Sequence, residues 1–296
     1  MPQHILITGA TGGLGGEVID LLRADGNEYT LSALTRHPDG EAAGALADKG
    51  VTVKAGDYAD PDSLVGAFAG VDVLYFVSGE DGPDRAALHA NVIDAAKTAG
   101  VRHVVYTSAV RKSGSEDGAL ATLLGSHQAT EAKLQASGLT YTILRHALYA
   151  EVIGLMIGDR EQLLATQTIY LPAGTGRVAY VPRTDLAAAG ARVLADPAAY
   201  ADTTLELTGN EDIGYAEVAA TLSETLGTPI TYVSPDVATF EARMRTAGLP
   251  EPVIDLLRNF SVATAEGVFD KRSSDLEALL GRPPQSTLDF IRRQYR

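Results

Sequence analysis

Gly9, Gly12 and Gly15 stand at a spacing of three between an apolar run and a helical one, and few folds accommodate such a junction. His4-Ile5-Leu6-Ile7-Thr8 reads as a short strand buried on both faces. Val18, Ile19, Leu21 and Leu22 then recur at helical spacing up to Asp25-Gly26, a helix stop. A strand that turns through glycines into a helix gathers backbone N–H groups and the positive helix end at one point, which suits a pyrophosphate. Glycine serves where the chain turns with positive φ or where a side chain would block the phosphate, and a third lets helix and strand pack closely. Gly9, Thr11, Gly12, Gly13, Leu14 and Gly15 are therefore expected to hold the phosphates. The spacing departs from G-x-G-x-x-G, so the strand–turn–helix setting carries the reading; a flexible glycine turn is the plainer alternative. No Lys-Ser/Thr follows the glycines, which removes a nucleotide triphosphatase loop.

The first half repeats this strand-and-helix cycle. Strands are expected at Tyr29–Leu34, Val51–Lys54, Val71–Val77, Arg102–Thr107 and Leu139–Leu144, with helices at Glu41–Lys49, Pro61–Ala69, Arg85–Ala99 and Ala119–Ala136 between them. Asp60 before Pro61 is a fitting N-cap. Six strands separated by helices imply an α/β fold, a doubly wound parallel sheet of Rossmann type with right-handed crossovers.

After about residue 146 the rhythm loosens. Short extended pieces are expected at Tyr170–Pro172, Val178–Val181, Thr204–Leu207 and Ile230–Val233. Helices are expected at Thr184–Leu194, Tyr215–Leu226 with Asp212 as a cap, Val237–Ala247, Pro252–Asn259, Ser274–Leu280 and Thr287–Arg293. The expected organisation is a Rossmann domain over 1–148 and a smaller, mostly helical substrate-binding lobe over 149–296, with some segments returning to the sheet.

Adenosine ribose is read at the end of the second strand. Leu31-Ser32-Ala33-Leu34-Thr35-Arg36 puts no carboxylate at that tip. Arg36 suits a 2′-phosphate, so NADP(H) is expected over NAD(H); a solvated surface arginine is the alternative. Asp57 and Tyr58, after the third strand, and Val77 and Ser78, ending the fourth, fall where adenine and nicotinamide would lie, although Asp and Ser are also ordinary turn residues.

Composition closes off other chemistries. With 24 Lys+Arg against 38 Asp+Glu the net charge is −14, which repels a polyphosphate, so no nucleic-acid partner is expected. Cysteine is absent, excluding disulfides and thiol chemistry and fitting a reducing cytoplasm. No apolar run reaches the ~18–20 residues that cross a bilayer, and Met1-Pro2-Gln3-His4 lacks a basic signal region, so neither membrane nor export is expected. The six histidines show no metal-ligand spacing, and no Gly-x-Ser-x-Gly elbow occurs, leaving no metal site or hydrolase reading.

Thr8-Gly9-Ala10-Thr11-Gly12-x-Leu14-Gly15, Gly56-Asp57-Tyr58, Tyr106-Thr107-Ser108, His127-x-x-Thr130-Glu131 and Leu144-Arg145-x-x-x-Tyr149 together resemble the NmrA-like atypical short-chain dehydrogenase/reductases. The branch they are most similar to holds the NADPH-dependent quinone oxidoreductases and triphenylmethane reductases. Gly248-Leu249-Pro250-Glu251-Pro252 and Ser274-Asp275-Leu276-x-x-Leu279-Leu280-Gly281 extend the resemblance over nearly the whole chain. It implies hydride transfer from NADPH to a flat conjugated acceptor in a cleft between the Rossmann domain and the smaller lobe.

Short-chain dehydrogenases usually carry a Ser and a Tyr-x-x-x-Lys pair. Here Ser108 stands in the serine region, but His127 and Glu131 replace Tyr and Lys on one helical face. Two readings stand equally. Glu131 favours a charged, proton-donating His127, or His127 lines the pocket while Glu131 is structural, bonded to a backbone N–H or Arg145. Relatives usually have Asn where this chain has His146, which places a second ring near the nicotinamide end. The expected roles are catalysis at Ser108 and His127, cofactor contacts extending to Thr107 and His146, and substrate contacts at Ser108, His127 and Tyr149. The protein is thus expected to be an NADPH-dependent reductase of a quinone or related aromatic carbonyl compound, monomeric or weakly dimeric. The alternatives are a ketoreductase of a polycyclic natural product and a non-catalytic NADP(H)-binding sensor.

Overall fold

Apolar runs too short for helices and bounded by glycine or aspartate become the inner strands. A computed structural model of the chain describes residues 2–79, 82–112 and 117–296. The first half comprises β1 (Gln3–Ile7), α1 (Gly13–Ala24), β2 (Tyr29–Thr35), α2 (Glu41–Asp48), β3 (Thr52–Ala55), α3 (Pro61–Phe68), β4 (Val73–Phe76), α4 (Arg85–Ala99), β5 (His103–Ala109), α5 (Ala121–Ala136) and β6 (Thr140–His146). There follow α6 (Glu151–Ile157), α7 (Arg160–Thr166), β7 (Thr168–Tyr170), α8 (Arg183–Ala195), a 3-10 turn (Pro197–Tyr200), β8 (Thr203–Leu207) and α9 (Tyr215–Leu226). The chain ends through β9 (Thr231–Val233), α10 (Val237–Thr246), α11 (Glu251–Ala265), α12 (Asp275–Leu280) and α13 (Thr287–Tyr295).

Seven strands form one parallel sheet in the order β3-β2-β1-β4-β5-β6-β8, which is a Rossmann arrangement extended by one strand. Alternate residues of the central strands serve opposite faces. Ile5, Ile7, Tyr75 and Val105 pack with Val18, Ile19 and Leu22 of α1 and Leu186 and Val193 of α8. Leu6, Leu74, Phe76, Val104 and Tyr106 pack with Leu64 and Phe68 of α3 and Val92 and Ile93 of α4. Strand order reverses between β1 and β4, so their carboxyl ends diverge and open a crevice.

The later part of the chain is not one separate layer. β8 joins β6, α8 lies along α1, and α12 packs on α8 and β8. A second core gathers Leu163, Ile169, Tyr215, Leu222, Phe240, Ile254 and Ile291 from the remaining helices. Among the described residues, no helix is long and apolar enough to cross a membrane.

Several boundaries differ from expectation. β5 and β6 run two residues further, to Ala109 and His146, because the neighbouring strands continue to pair in register. Tyr170–Pro172 shifts to β7, paired with β9, whereas Val178 and Val181 make single bridges to Ile213 and Tyr149 rather than a strand. Asp212 does not cap α9: Arg272 Nε donates to it at 2.6 Å, and the Glu217 carboxylate caps by accepting from Gly214 N–H at 2.8 Å. α11 continues through Ala265 because Ser261, Ala263 and Thr264 are buried on its inner side. α6 and α7 were not expected. α7 carries a reciprocal cap in which Asp159 accepts from Gln162 N–H and Gln162 from Asp159 N–H, at 2.9 and 3.0 Å.

Candidate active site

The glycine junction is shaped by contacts of its own backbone. Gly9 has φ of +59°, and Gly12 N–H donates to Gly9 C=O at 3.0 Å. A Cβ on Gly15 would lie 2.6 Å from that carbonyl, so the third glycine is what lets α1 start against the turn. α1 begins after Gly12 with no side-chain cap and no acidic residue in its first turn. A helix end left in this state has N–H groups and a dipole available for an external anion.

From this loop a cleft of about 660 Å³ runs past Leu34–His37 at the tip of β2, Gly56–Tyr58 after β3 and Val77–Gly79 after β4, to Tyr149 and Arg183. Gly9, Thr11, Gly12, Gly13, Leu14, Arg36, Asp57, Tyr58, Val77, Ser78 and Tyr149 all line it. The tip of β2 presents Thr35, Arg36 and His37, without a carboxylate. Asp57 accepts from Ala59 N–H at 3.0 Å, so part of its carboxylate is engaged by its own turn. Tyr58 shows the cleft its ring while its hydroxyl reaches inward, 2.6 Å from Thr8 Oγ1 and 2.9 Å from Val77 C=O. Val77 N–H in turn donates to Thr8 Oγ1 at 2.9 Å, so these bonds hold the ends of β1 and β4 together below the crevice. Thr107 lies behind the wall, where its Oγ1 accepts from Ser78 N–H at 2.9 Å.

Ser108, His127 and His146 are buried and lie off the wall of this cleft. Ser108 Oγ donates to Glu131. Arg111 reaches the same carboxylate at 2.7 and 3.0 Å, and Arg145 at 2.6 and 3.0 Å. Burial alone would raise the Glu131 pKa, but the Arg111, Arg145 and Ser108 hydrogen bonds overcome it and hold the carboxyl down at about 2. Arg145 also binds Glu206 of β8 at 2.8 Å, and Lys271 binds Glu206. Glu131 is therefore the centre of an ion cluster joining α5, β6 and β8. It makes no hydrogen bond to His127, although its charge acts to raise the His127 pKa against the larger effect of burial.

His127 belongs to a second network, in which one fixed donor sets the tautomer of His89. Gly79 N–H donates to His89 Nε2 at 3.0 Å, so that nitrogen carries no proton and Nδ1 of the neutral ring does. His89 Nδ1–H then donates to Thr130 Oγ1 at 2.9 Å, while the Thr130 hydroxyl donates to Ser126 C=O at 2.7 Å. Tyr106 OH lies 2.8 Å from His127 Nδ1 and 3.5 Å from His89 Nδ1, so its hydroxyl joins the two rings. Burial, reinforced by the Arg85 charge, pushes His127 well below its usual pKa of 6.5 and His89 down to about 3. Burial thus favours a neutral His127 over a charged one.

His146, the last residue of β6, places Nδ1 3.3 Å from Tyr149 OH. Its Nε2 is buried without a partner among the described residues, and burial lowers its pKa to about 3. Arg183 was missed by the sequence reading. It stands at the start of α8, lines the cleft, and holds its guanidinium carbon 5.1 Å from the centre of the Tyr149 ring. No local motif marks it, because it meets the glycine loop only through the packing of α8 on α1.

The family model for the NmrA-like family matches residues 1–285. Quinone oxidoreductase 2 of Escherichia coli (strain K12) is 36% identical over 287 residues, covering 97% of each chain. NAD(P)H azoreductase of Xenophilus azovorans is 30% identical over 292 residues, covering 97% of this chain and 96% of its own. The structure of Citrobacter sp. triphenylmethane reductase complexed with NADP(H) superposes with a TM-score of 0.87 at 34% identity, covering 99% of this chain and 100% of that one.

Proposed function

The chain belongs to the NmrA-like family, and from that premise we propose that it is an NADPH-dependent reductase that delivers hydride to a quinone or a related carbonyl-bearing aromatic compound. The observation that carries this reading is the uncapped start of α1 beneath a glycine turn, in a cleft that also offers Arg36 and no carboxylate at the tip of β2. Similarity to a quinone oxidoreductase, an azoreductase and a dye reductase supports a planar acceptor.

In this reading Gly9, Thr11, Gly12, Gly13, Leu14 and Gly15 shape the pyrophosphate seat, and Arg36 grips the 2′-phosphate. Asp57, Tyr58, Val77 and Ser78 form the wall between the two ends, with Thr107 fixing Ser78 from behind. When bound, the coenzyme supplies the hydride from C4 of its nicotinamide. Tyr149 offers an aromatic flank for the acceptor beside that end of the cleft. His127, kept neutral by burial and 2.8 Å from Tyr106 OH, is suited to hydrogen bonding rather than to delivering a proton as an imidazolium. Ser108, committed to Glu131, keeps α5 and β5 in register, and His146 braces Tyr149. This arrangement favours a quinone over a simple ketone, since quinone oxygens take protons from water and positioning then carries most of the rate. The absence of cysteine supports a reducing cytoplasm, and we read the molecule as a monomer or weak dimer.

Steady-state oxidation of NADPH and NADH with benzoquinone tests the proposal. Turnover with NADPH at least about tenfold more efficient than with NADH is expected from one charge-assisted phosphate contact. Coenzyme binding without turnover across a panel of quinones, dyes and azo compounds would instead mark a sensor.

A further inference from the structure

We propose that Arg183 is a second phosphate-binding cation of the cleft, reaching the pyrophosphate beside the start of α1. The inference rests on the reductase reading for the identity of the ligand, and on four observations for the residue. First, Arg183 opens α8, which lies along α1, so its side chain comes to the start of α1 from a distant part of the sequence. A Cβ on Gly13 would fall 2.8 Å from Arg183 Nη1 and 3.3 Å from its Cδ. The second of the paired glycines, Gly13, thus leaves room for a guanidinium, a role the phosphate-turn pattern does not assign to it.

Second, the guanidinium has no carboxylate partner among the described residues. The nearby Glu151 carboxylate is turned to the backbone, accepting from Arg183 N–H at 3.1 and 3.2 Å. By contrast Arg111, Arg145, Arg258, Arg272 and Arg282 each bind a carboxylate. Third, the Arg183 guanidinium rests on the Tyr149 ring, 5.1 Å from its centre, which orients the cation without neutralising it. Fourth, no acidic residue occupies the first turn of α1. A cation without an internal counter-charge, held beside an uncapped helix start in a chain of net charge −14, is arranged for an anion brought from outside.

The two arginines then divide the work. Arg36, at the tip of β2, senses the phosphate that distinguishes NADP(H) from NAD(H). Arg183 senses the diphosphate common to both, so it adds affinity without discrimination.

Calorimetric titration of the full chain with NADP+ and, by displacement, with adenosine 2′-monophosphate separates these roles. Arg183→Gln is expected to weaken NADP+ by about tenfold, the loss of one hydrogen-bonded charge, while leaving adenosine 2′-monophosphate unchanged. Arg36→Ala is expected to weaken both. Should Arg183→Gln fail to fold, Arg183→Met, which keeps an unbranched stem against Tyr149 without the charge, carries the same expectation. Unchanged NADP+ binding in the variant, or an equal loss for the two ligands, overturns the role of Arg183 while the wild-type titration still supports the reductase reading. Failure of the wild-type chain to bind NADP+ removes both.

Discussion

At the scale of single residues, the buried histidines set how the molecule responds to acid. His89 and His146 are held at about 3, and His127 well below 6.5, in each case chiefly by burial. Because these folded values are depressed, the unfolded chain binds protons below about pH 6.5 that the folded chain refuses. Their contribution is complete above pH 6.5 and is lost as pH falls towards the folded values. His89 and His146 are each expected to remove about 2 kcal/mol of stability between pH 7 and pH 5, and His127 to act in the same direction. Denaturant unfolding at the two pH values checks this, with His146→Gln expected to show a smaller loss; an unchanged difference would place His146 outside the effect. The same burial keeps His127 neutral between pH 6 and 8, in line with hydrogen bonding rather than proton delivery. At this scale the glycine loop and Arg36 were legible because their geometry is local, fixed by neighbours in sequence. Arg145 was among the partners the sequence offered Glu131, but Arg111 was not, nor the link through Arg145 to Glu206, because these reach the cluster only through strand order. The neighbours of His127 were illegible for the same reason, since Tyr106 and His89 are brought to it only by the packing of α4 and α5 on β5.

At the scale of elements, the ion cluster around Glu131 ties α5 to β6 and, through Glu206, to β8. Glu131 and Arg111 are deeply buried, with side chains 5% and 10% exposed. Removing one partner of such a group strands the other charges in a poorly solvated place. Glu131→Ala is expected to cost about 3–5 kcal/mol in denaturant unfolding, whereas Arg177→Ala, removing a half-exposed pair with Glu217, is expected to cost less than about 1 kcal/mol. Similar losses for the two would mean that the cluster is no more than a surface pair in effect. The elements of the first half were readable because fully buried parallel strands write themselves as apolar runs, and Asp60-Pro61 marks a helix start openly. α6 and α7 escaped notice because Gly154 and Gly158 interrupt the periodicity, although the Asp159-x-x-Gln162 cap was there to be seen. The length of α11 was hidden by its buried Ser261 and Thr264, polar residues that suggest a loop until their packing is known.

At the scale of the whole molecule, the order β3-β2-β1-β4-β5-β6-β8 creates the crevice, and the later chain furnishes its far side through Tyr149 and Arg183. The cleft draws on both halves: the glycine turn and Arg36 come from the first, Tyr149 and Arg183 from the second. An acidic surface makes cationic side chains inside the cleft the natural destination for an anionic coenzyme. The central claim is that this cleft holds NADPH, selected by Arg36. Its most direct test is a calorimetric titration of wild-type and Arg36→Ala protein with NADPH and with NADH. Wild-type protein is predicted to bind NADPH at least about tenfold more tightly than NADH, and Arg36→Ala to bring NADPH down to the level of NADH. Equal affinities in the wild type, or an equal weakening of both coenzymes in the variant, would contradict it.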